Sequence, residues 1–406
     1  MTRRAVVTGI GPVTPVGTGR RDFWASLVAG RAGIGPITRF DPSVLSSRIA
    51  GQVDQASPAA VHPPARRAER FSLLAHEAAR LALADARLAP ADVDGDRAAV
   101  VLGSAYGGLS RVETDAVALR TRGAGAVLPH LSSSGSLSAA AALVSMAFGF
   151  TGPVECPAGA CATGAQAVAR GLDLIRLDAA DVVVAGGTDA ALSPLFMASF
   201  CAARALSRRN DDPAAASRPF DRDRDGFVFS EGAVVLVLEE YEFARARGAP
   251  VLAEVLGHGE AGDAYSPVAP HPQGAGILRA MQRAVRAAGV TPAEIGYVNA
   301  HAASTPVGDV AEVHAIRTLF GGAPPPVSST KSMTGHLLGA AGALAAAVAV
   351  LTVATGWITP TINLESPDPR CDIDGVPHRA REKKTEVAMS NAIGLGGINC
   401  ALVFGR

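Results

Sequence analysis

Large rings are scarce in this chain: Phe, Trp and Tyr together make up 5% of 406 residues. A core with so few of them must be filled by close approach of small side chains. The 44 glycines and the many alanines suit tightly packed helices with small residues at their contacts, in a globular protein and not a disordered one. An excess of one charge is also missing, since 37 basic and 37 acidic residues cancel. A general nucleic-acid binder carries a net basic domain or stripe, so that class is set aside. Cysteine is sparse, and Cys156, Cys161, Cys201, Cys371 and Cys400 are odd in number and follow no metal-ligand spacing. Neither a disulfide framework nor a metal site is expected, and a reducing cytoplasm fits best. Met1-Thr-Arg-Arg leads almost at once into a strand-like run, without the long apolar region of a signal peptide. Residues 337–358 carry no charge and are long enough to cross a bilayer. Their Ala, Gly and Val content, with Gly339 and Gly342 early and Trp357 late, predicts a buried helix and a following strand, and no membrane span.

The length suits two core-forming units, and the pattern divides near residue 250. In the first unit, 1–249, Ala5-Val-Val-Thr-Gly-Ile-Gly reads as an interior strand, and residues 31–68 as a proline-containing surface excursion. Arg66, Arg67 and Arg70 then open a helical run from Phe71; they read either as a solvated helix face or as a surface for an acidic partner. Ala98-Val-Val-Val-Leu-Gly and Ala180-Asp-Val-Val-Val-Ala-Gly-Gly-Thr-Asp are two more buried strands ending in turns. From Pro250 the second unit, 250–406, repeats the strand and helix alternation.

The chemistry centres on residues 153–175, where Cys161 precedes a run of small and apolar residues. Placed at the first turn of a buried helix, its thiol would feel the positive end of the dipole and unpaired N–H groups, which favour thiolate and can hold an oxyanion. On this stretch alone, a small buried hydrophobe fits Cys161 equally well. Two histidines that each follow what reads as a strand end shift the balance: His301 in Tyr-Val-Asn-Ala-His-Ala-Ala-Ser-Thr-Pro, and His336 in Ser-Ser-Thr-Lys-Ser-Met-Thr-Gly-His-Leu-Leu-Gly.

These blocks resemble the condensing enzymes of the thiolase fold, specifically the decarboxylating β-ketoacyl-acyl-carrier-protein synthases with a Cys-His-His triad. The resemblance runs from Arg4-Ala-Val-Val-Thr-Gly-Ile-Gly to Ser390-Asn-Ala-Ile-Gly-Leu-Gly-Gly-Ile-Asn-Cys, with every block in order. It implies an α/β fold of two similar halves in five layers, α-β-α-β-α, with the active site where the halves meet. It also implies that Cys161 takes the acyl chain as a thioester, that His301 and His336 stabilise the enolate left when malonyl loses carbon dioxide, and that the N–H groups of Cys161 and Leu395 form the oxyanion hole. Lys331 matches the family's buried lysine, with Asp309 and Glu312 as the acidic partners that keep it charged. Thr305 matches a pantetheine contact, Leu395 and Ile393 the acyl-pocket gate, and Arg66, Arg67, Arg70 and Arg204 a carrier-docking patch. No cofactor or metal is implied. Acyl-carrier and malonyl-carrier proteins are the expected partners, and a homodimer the expected assembly, with a heterodimer of ketosynthase-like paralogues as the alternative.

The chain departs from the pattern in four places. His-Gly-Thr-Ser-Thr becomes His301-Ala-Ala-Ser-Thr, so Ala303 stands where a pantetheine-binding threonine is usual. The two gate phenylalanines are replaced by Leu395 and Ile393, and a glutamate near the Gly-Ala-Ala-Gly turn by Ala345. A smaller gate favours bulkier, stiffer or unsaturated chains, pointing to polyketide or specialised fatty-acid synthesis. An acyltransferase that does not condense, and a chain-length-factor-like partner subunit, remain the alternative readings. Cys400 lies in the terminal block and reads as a buried strand residue, not a second catalytic thiol.

Overall fold

A strand such as Ala98–Gly103, apolar or small at every position, needs cover on both faces. A computed structural model, which describes residues 3–54 and 68–406, supplies that cover twice. The first half contributes β1 (Ala5–Thr14), α1 (Arg70–Asp85), β2 (Ala98–Gly103), α2 (Leu109–Arg122), β3 (Val154–Glu155), α3 (Thr163–Arg176), β4 (Val182–Asp189) and β5 (Gly232–Glu240). The second contributes β6 (Ala253–Gly262), α4 (Ala275–Ala288), β7 (Tyr297–Asn299), α5 (Gly308–Leu319), β8 (Val327–Ser328), α6 (Ala341–Thr355), β9 (Val387–Gly394) and β10 (Ile398–Gly405).

The hydrogen-bonded strand order is β8-β7-β9-β10-β6-β1-β5-β4-β2-β3, which reads the same from either end once the halves are exchanged. Pair directions repeat as well. β2 runs parallel to β3 and β4, while β4 and β5, then β5 and β1, run antiparallel. β7 runs parallel to β8 and β9, while β9 and β10, then β10 and β6, run antiparallel. The two sets join through a short antiparallel contact of Val6 with Glu254 and Val7 with Ala253.

Alternation along each strand divides the core into layers. Ala98, Val100 and Leu102 pack outward with Leu74, Ala78 and Ala82 of α1, whereas Ala99 and Val101 face inward to α3 and α6. The outer layer of the second half is built from α4 and α5 through Ile277, Met281, Val313 and Ile316. The central layer is the pair α3 and α6, with both backbones in close approach. A Cβ on Gly164 would lie 2.6 Å from the Ala343 nitrogen, and one on Gly342 2.5 Å from the Ala165 nitrogen, so each helix needs glycine at the same point of the crossing.

This central position explains the uncharged run at 337–358. Nearly all of α6 is buried, and the helix ends at Gly356 in a left-handed conformation (φ 74°) before the short strand Trp357–Ile358. The stretch is a core helix followed by a strand, as its composition predicts. Its burial also leaves no solvated face for charge, and Leu344→Ala or Leu351→Ala here costs about 2–5 kcal/mol.

Candidate active site

Cys161 occupies a 3-10 turn, Ala160–Ala162, that feeds directly into α3. The turn is fixed by the Gly159 N–H donating to Thr163 Oγ1 (2.9 Å) and the Ala162 N–H donating to the Gly159 carbonyl (3.0 Å). Ala160 has φ 51°, a left-handed conformation that is uncommon for a residue with a side chain. Cys161 is only 7% exposed, at the floor of a cavity of about 370 Å³.

Burial works against the thiolate that the helix end favours. Burial pushes the Cys161 thiol up to about 12, helped by the Asp189 charge; Lys331 and the backbone N–H groups of Leu395 and Cys161 itself pull the other way and do not prevail. Desolvating a full charge outweighs a dipole interaction of about 0.3–2 kcal/mol. Burial thus favours the neutral thiol, and the backbone N–H groups of Leu395 and Cys161 lie against its sulfur.

His301 follows β7, as the sequence predicts. Its own N–H and that of Ala302 donate to Glu312 of α5 (2.8 and 2.7 Å), and its carbonyl accepts from Lys331 Nζ. His336 does not follow a strand directly, because the helical turn Lys331–Thr334 intervenes after β8. It is held instead by a bridge to Phe229, with its N–H on the Val228 carbonyl (2.8 Å) and its carbonyl receiving the Ser230 N–H (3.0 Å). The Leu338 N–H donates to His336 Nδ1 (3.3 Å), which assigns the remaining proton to Nε2. The two imidazoles sit edge to face with centroids 5.2 Å apart, and Phe227 packs against His336 at 5.4 Å. Burial, then the Lys331 charge, holds both rings well below the usual imidazole range, and His336 adds to this for His301. Both are neutral donors at physiological pH.

Lys331 is 5% exposed, and burial lowers its ammonium to about 8 against the opposing pull of Glu312, Cys161 and Asp309. Its acidic neighbours favour its charged form, as expected, but without touching it. Glu312 spends its oxygens on the 301–302 backbone and on Asn391 Nδ2 (3.0 Å). Asp309 accepts from the Phe220 and Thr305 N–H groups (3.0 and 3.1 Å) and faces Arg224 at 3.7 Å. Among the described residues neither carboxylate forms an ion pair with Lys331; they reach it through space and chiefly brace the loops around His301 and Thr305. Ala345, which stands where the resemblance would place a glutamate, is buried in α6.

The rest of the cavity is largely apolar. Leu395, in the turn between β9 and β10, is 41% exposed at the mouth, and Ile393 lies below it, packed on the second-half core. Ala303 and Thr305 line one wall, with Thr305 Oγ1 accepting the Gly308 N–H (3.1 Å). Arg204 lies exposed at the mouth. Arg70 is not available to a partner: its guanidinium donates to the buried Glu231 (2.8 Å to each oxygen) and to the Val53 carbonyl (2.7 Å). Arg66 and Arg67 lie outside the described residues. Cys400 is fully buried in β10, and no group of three or more metal-ligating side chains occurs among the described residues.

Sequence reading missed three groups at this site. Asp189 ends β4 fully buried, Arg224 holds the Thr305 and Pro306 carbonyls, and Tyr106 forms a cavity wall. A charge closing a buried strand, as in Gly186-Gly-Thr-Asp, was the available signal for the first.

Two domain profiles match the chain: Beta-ketoacyl synthase, N-terminal domain, over residues 2–244, and Beta-ketoacyl synthase, C-terminal domain, over residues 252–365. The chain is 43% identical to 3-oxoacyl-[acyl-carrier-protein] synthase 2 of Synechocystis sp., over 99% of its own length and 98% of the relative's. Its fold superposes on the ishigamide ketosynthase/chain length factor with a TM-score of 0.94 and 35% identity, covering all of both chains. A type II PKS acyl-carrier protein in complex with its ketosynthase bound to the hexaketide gives a TM-score of 0.93 and 32% identity, again over all of both chains.

Proposed function

The chain belongs to the β-ketoacyl synthase family, and we propose that its cavity joins an acyl group held on Cys161 to malonyl-acyl carrier protein with loss of carbon dioxide. It is an acyltransferase, and acyl carrier protein is its partner. The observation that carries the assignment of roles is one cavity holding a buried thiol with two backbone N–H groups at its sulfur and two neutral histidines beside it.

In the first step Cys161 Sγ attacks the acyl thioester, the carbonyl oxygen gathers charge at the N–H groups of Leu395 and Cys161, and collapse expels the carrier thiol, which leaves with the proton from Cys161. Malonyl-carrier then binds beside the new thioester. Its carboxylate carbon bond breaks, carbon dioxide departs, and the electron pair becomes an enolate whose oxygen accepts hydrogen bonds from His336 Nε2–H and His301. Neutral imidazoles suit this role because a cation would first have to be desolvated, and one well-aimed donor of this kind is worth about 3–4 kcal/mol in the transition state. The enolate carbon attacks the Cys161 thioester, the same N–H pair holds the second oxyanion, and its collapse breaks the C–S bond and expels the Cys161 thiolate, which takes a proton from water. Lys331 holds the His301 carbonyl and supplies positive charge nearby.

Substrate choice follows from the gate. A leucine at 395 and isoleucine at 393 leave the mouth less filled than two phenylalanines, and Ala303 removes a hydroxyl from the wall that takes the carrier arm. We assign the protein to bulky or unsaturated chains of the polyketide or specialised fatty-acid kind. Arg204 is the remaining described candidate for carrier docking. A homodimer is the proposed assembly, with a paralogue heterodimer as the alternative; β3 forms a free sheet edge with Val154 exposed, and Met146 is exposed in the helix before it. The cytoplasm is the proposed compartment, consistent with five unpaired cysteines.

Intact-mass analysis of the carrier after incubation with acyl-carrier, malonyl-carrier and either wild-type or Cys161→Ala protein tests the reading. A β-ketoacyl carrier that requires Cys161 is expected. Loading of Cys161 with no carbon dioxide released, even with a candidate partner subunit added, would replace condensation by acyl transfer alone.

A further inference from the structure

Asp189 has no exposure, and its carboxylate accepts four hydrogen bonds. Oδ1 receives Ser104 Oγ–H (2.7 Å) and the Tyr106 N–H (3.1 Å); Oδ2 receives the Ala105 N–H (3.0 Å) and the Gly339 N–H (2.6 Å). The first three come from the turn after β2 in the first half. The fourth comes from the second half, in the turn that follows His336.

That turn is strained. Leu338 has φ 52°, a conformation that costs a residue with a side chain about 1–2 kcal/mol and persists only where its surroundings hold it. Its N–H is the group that donates to His336 Nδ1, and the next N–H, of Gly339, is the one that Asp189 takes. Gly339 must be glycine for this, since a Cβ there would sit 2.5 Å from Asp189 Oδ2 and 2.7 Å from the Ala105 nitrogen. We propose that Asp189 is a positioning residue: by capturing the Gly339 N–H it locks the Leu338 turn, and the locked turn keeps His336 in the tautomer that donates from Nε2 into the cavity.

Burial raises Cys161, Cys156 and Tyr106, and the charge of this carboxylate adds to each. Asp189 therefore has opposite effects on the two half-reactions, opposing thiolate formation at Cys161 while ordering the histidine that the decarboxylation needs. The second of these effects rests on the condensing reading given above.

Asp189→Asn separates the two effects, because it removes the charge and sets an amide N–H₂ against N–H donors. Three readouts are compared with wild type: the rate of condensation, the rate of Cys161 alkylation by iodoacetamide as a function of pH, and the ¹⁵N shifts of His336. Condensation should fall roughly 10- to 100-fold, the loss of one buried charged hydrogen bond. Alkylation should become faster at a given pH, and the His336 shifts should move from a single Nε2–H form to a mixture. Asp189→Glu keeps the charge and should alkylate at the wild-type rate while condensing at an intermediate one. Equal losses of alkylation and condensation in either variant, or unchanged His336 shifts in Asp189→Asn, would overturn the proposal, and if Asp189→Asn does not fold, Asp189→Glu decides by the same criterion. A wild-type protein that yields no β-ketoacyl carrier sinks the condensing reading instead, and the histidine shifts still report on Asp189.

Discussion

The turn that opens α3 and the turn that opens α6 are the same piece of backbone used for two purposes. Counting back from the paired glycines 164 and 342, Cys161 corresponds to Gly339 and Ala160 to Leu338, and these last two share nearly the same left-handed φ, 51° and 52°. Neither is glycine, so both halves hold a strained residue by context. What faces each turn differs. The first meets the β9–β10 turn, where the Leu395 N–H lies against the Cys161 sulfur; the second meets the end of β4, where Asp189 takes the amide of Gly339. One copy presents the Cys161 thiol to backbone N–H groups, while the other gives its equivalent N–H to a carboxylate and presents His336 from just before the turn. A duplicated scaffold becomes an active site here by changing a few side chains at symmetric positions, with the backbone retained.

Variants that strike one copy alone sharpen that comparison. Cys161→Ala should lower condensation by at least about 10³-fold and abolish acyl loading, read by intact mass. His336→Ala should lower condensation by roughly 10²–10³-fold yet leave loading of Cys161 intact, since enolate stabilisation is confined to the second step. If loading fell equally, the division of labour between the turns would be wrong. A pH series probes the carboxylates on either side. Burial raises both Asp189 and Asp309 to about 6, so their charged forms persist above that pH and are lost as pH falls through it. Burial holds both histidines well below the usual imidazole range. The condensation rate should therefore decline by up to about tenfold per unit below about pH 6, and Asp189→Asn should flatten part of that limb.

Smaller effects test the scaffold itself. Gly164→Ala and Gly342→Ala should each destabilise by about 1–3 kcal/mol and by similar amounts in denaturant unfolding, because both insert a Cβ against backbone at one crossing. A large inequality would break the symmetry argument. Ala303→Thr should have the least effect, lowering KM for malonyl-carrier about 2- to 10-fold, the value of one added hydrogen bond, with kcat unchanged.

The residues at this site differ in how readily they can be read from the chain. Cys161, His301 and His336 stand in local patterns distinct enough to be picked out and grouped by resemblance, and the apolar strands from Ala98 and Val182 announce burial on both faces. Lys331 is identifiable for the same reason, and Asp309 and Glu312 do favour its charged form, but their oxygens go to backbone N–H groups that no linear pattern reveals. Arg70 illustrates the converse, since an arginine opening an amphipathic helix looks solvated until Glu231 is found buried beneath it. Asp189 lies 150 residues from Gly339, and a hydrogen bond across that separation leaves no local trace.

What the sequence determined by itself is therefore the set of elements and the reactive atoms, because strand and helix periodicity and the chemistry of a thiol or an imidazole are properties of neighbouring residues. Only the tertiary structure decided the protonation of those atoms and their aim. Burial, the largest influence on Cys161, and the convergence of Leu338, Asp189 and Leu395 from distant segments are produced by packing the two halves together, and free energies of desolvation and hydrogen bonding depend on that packing.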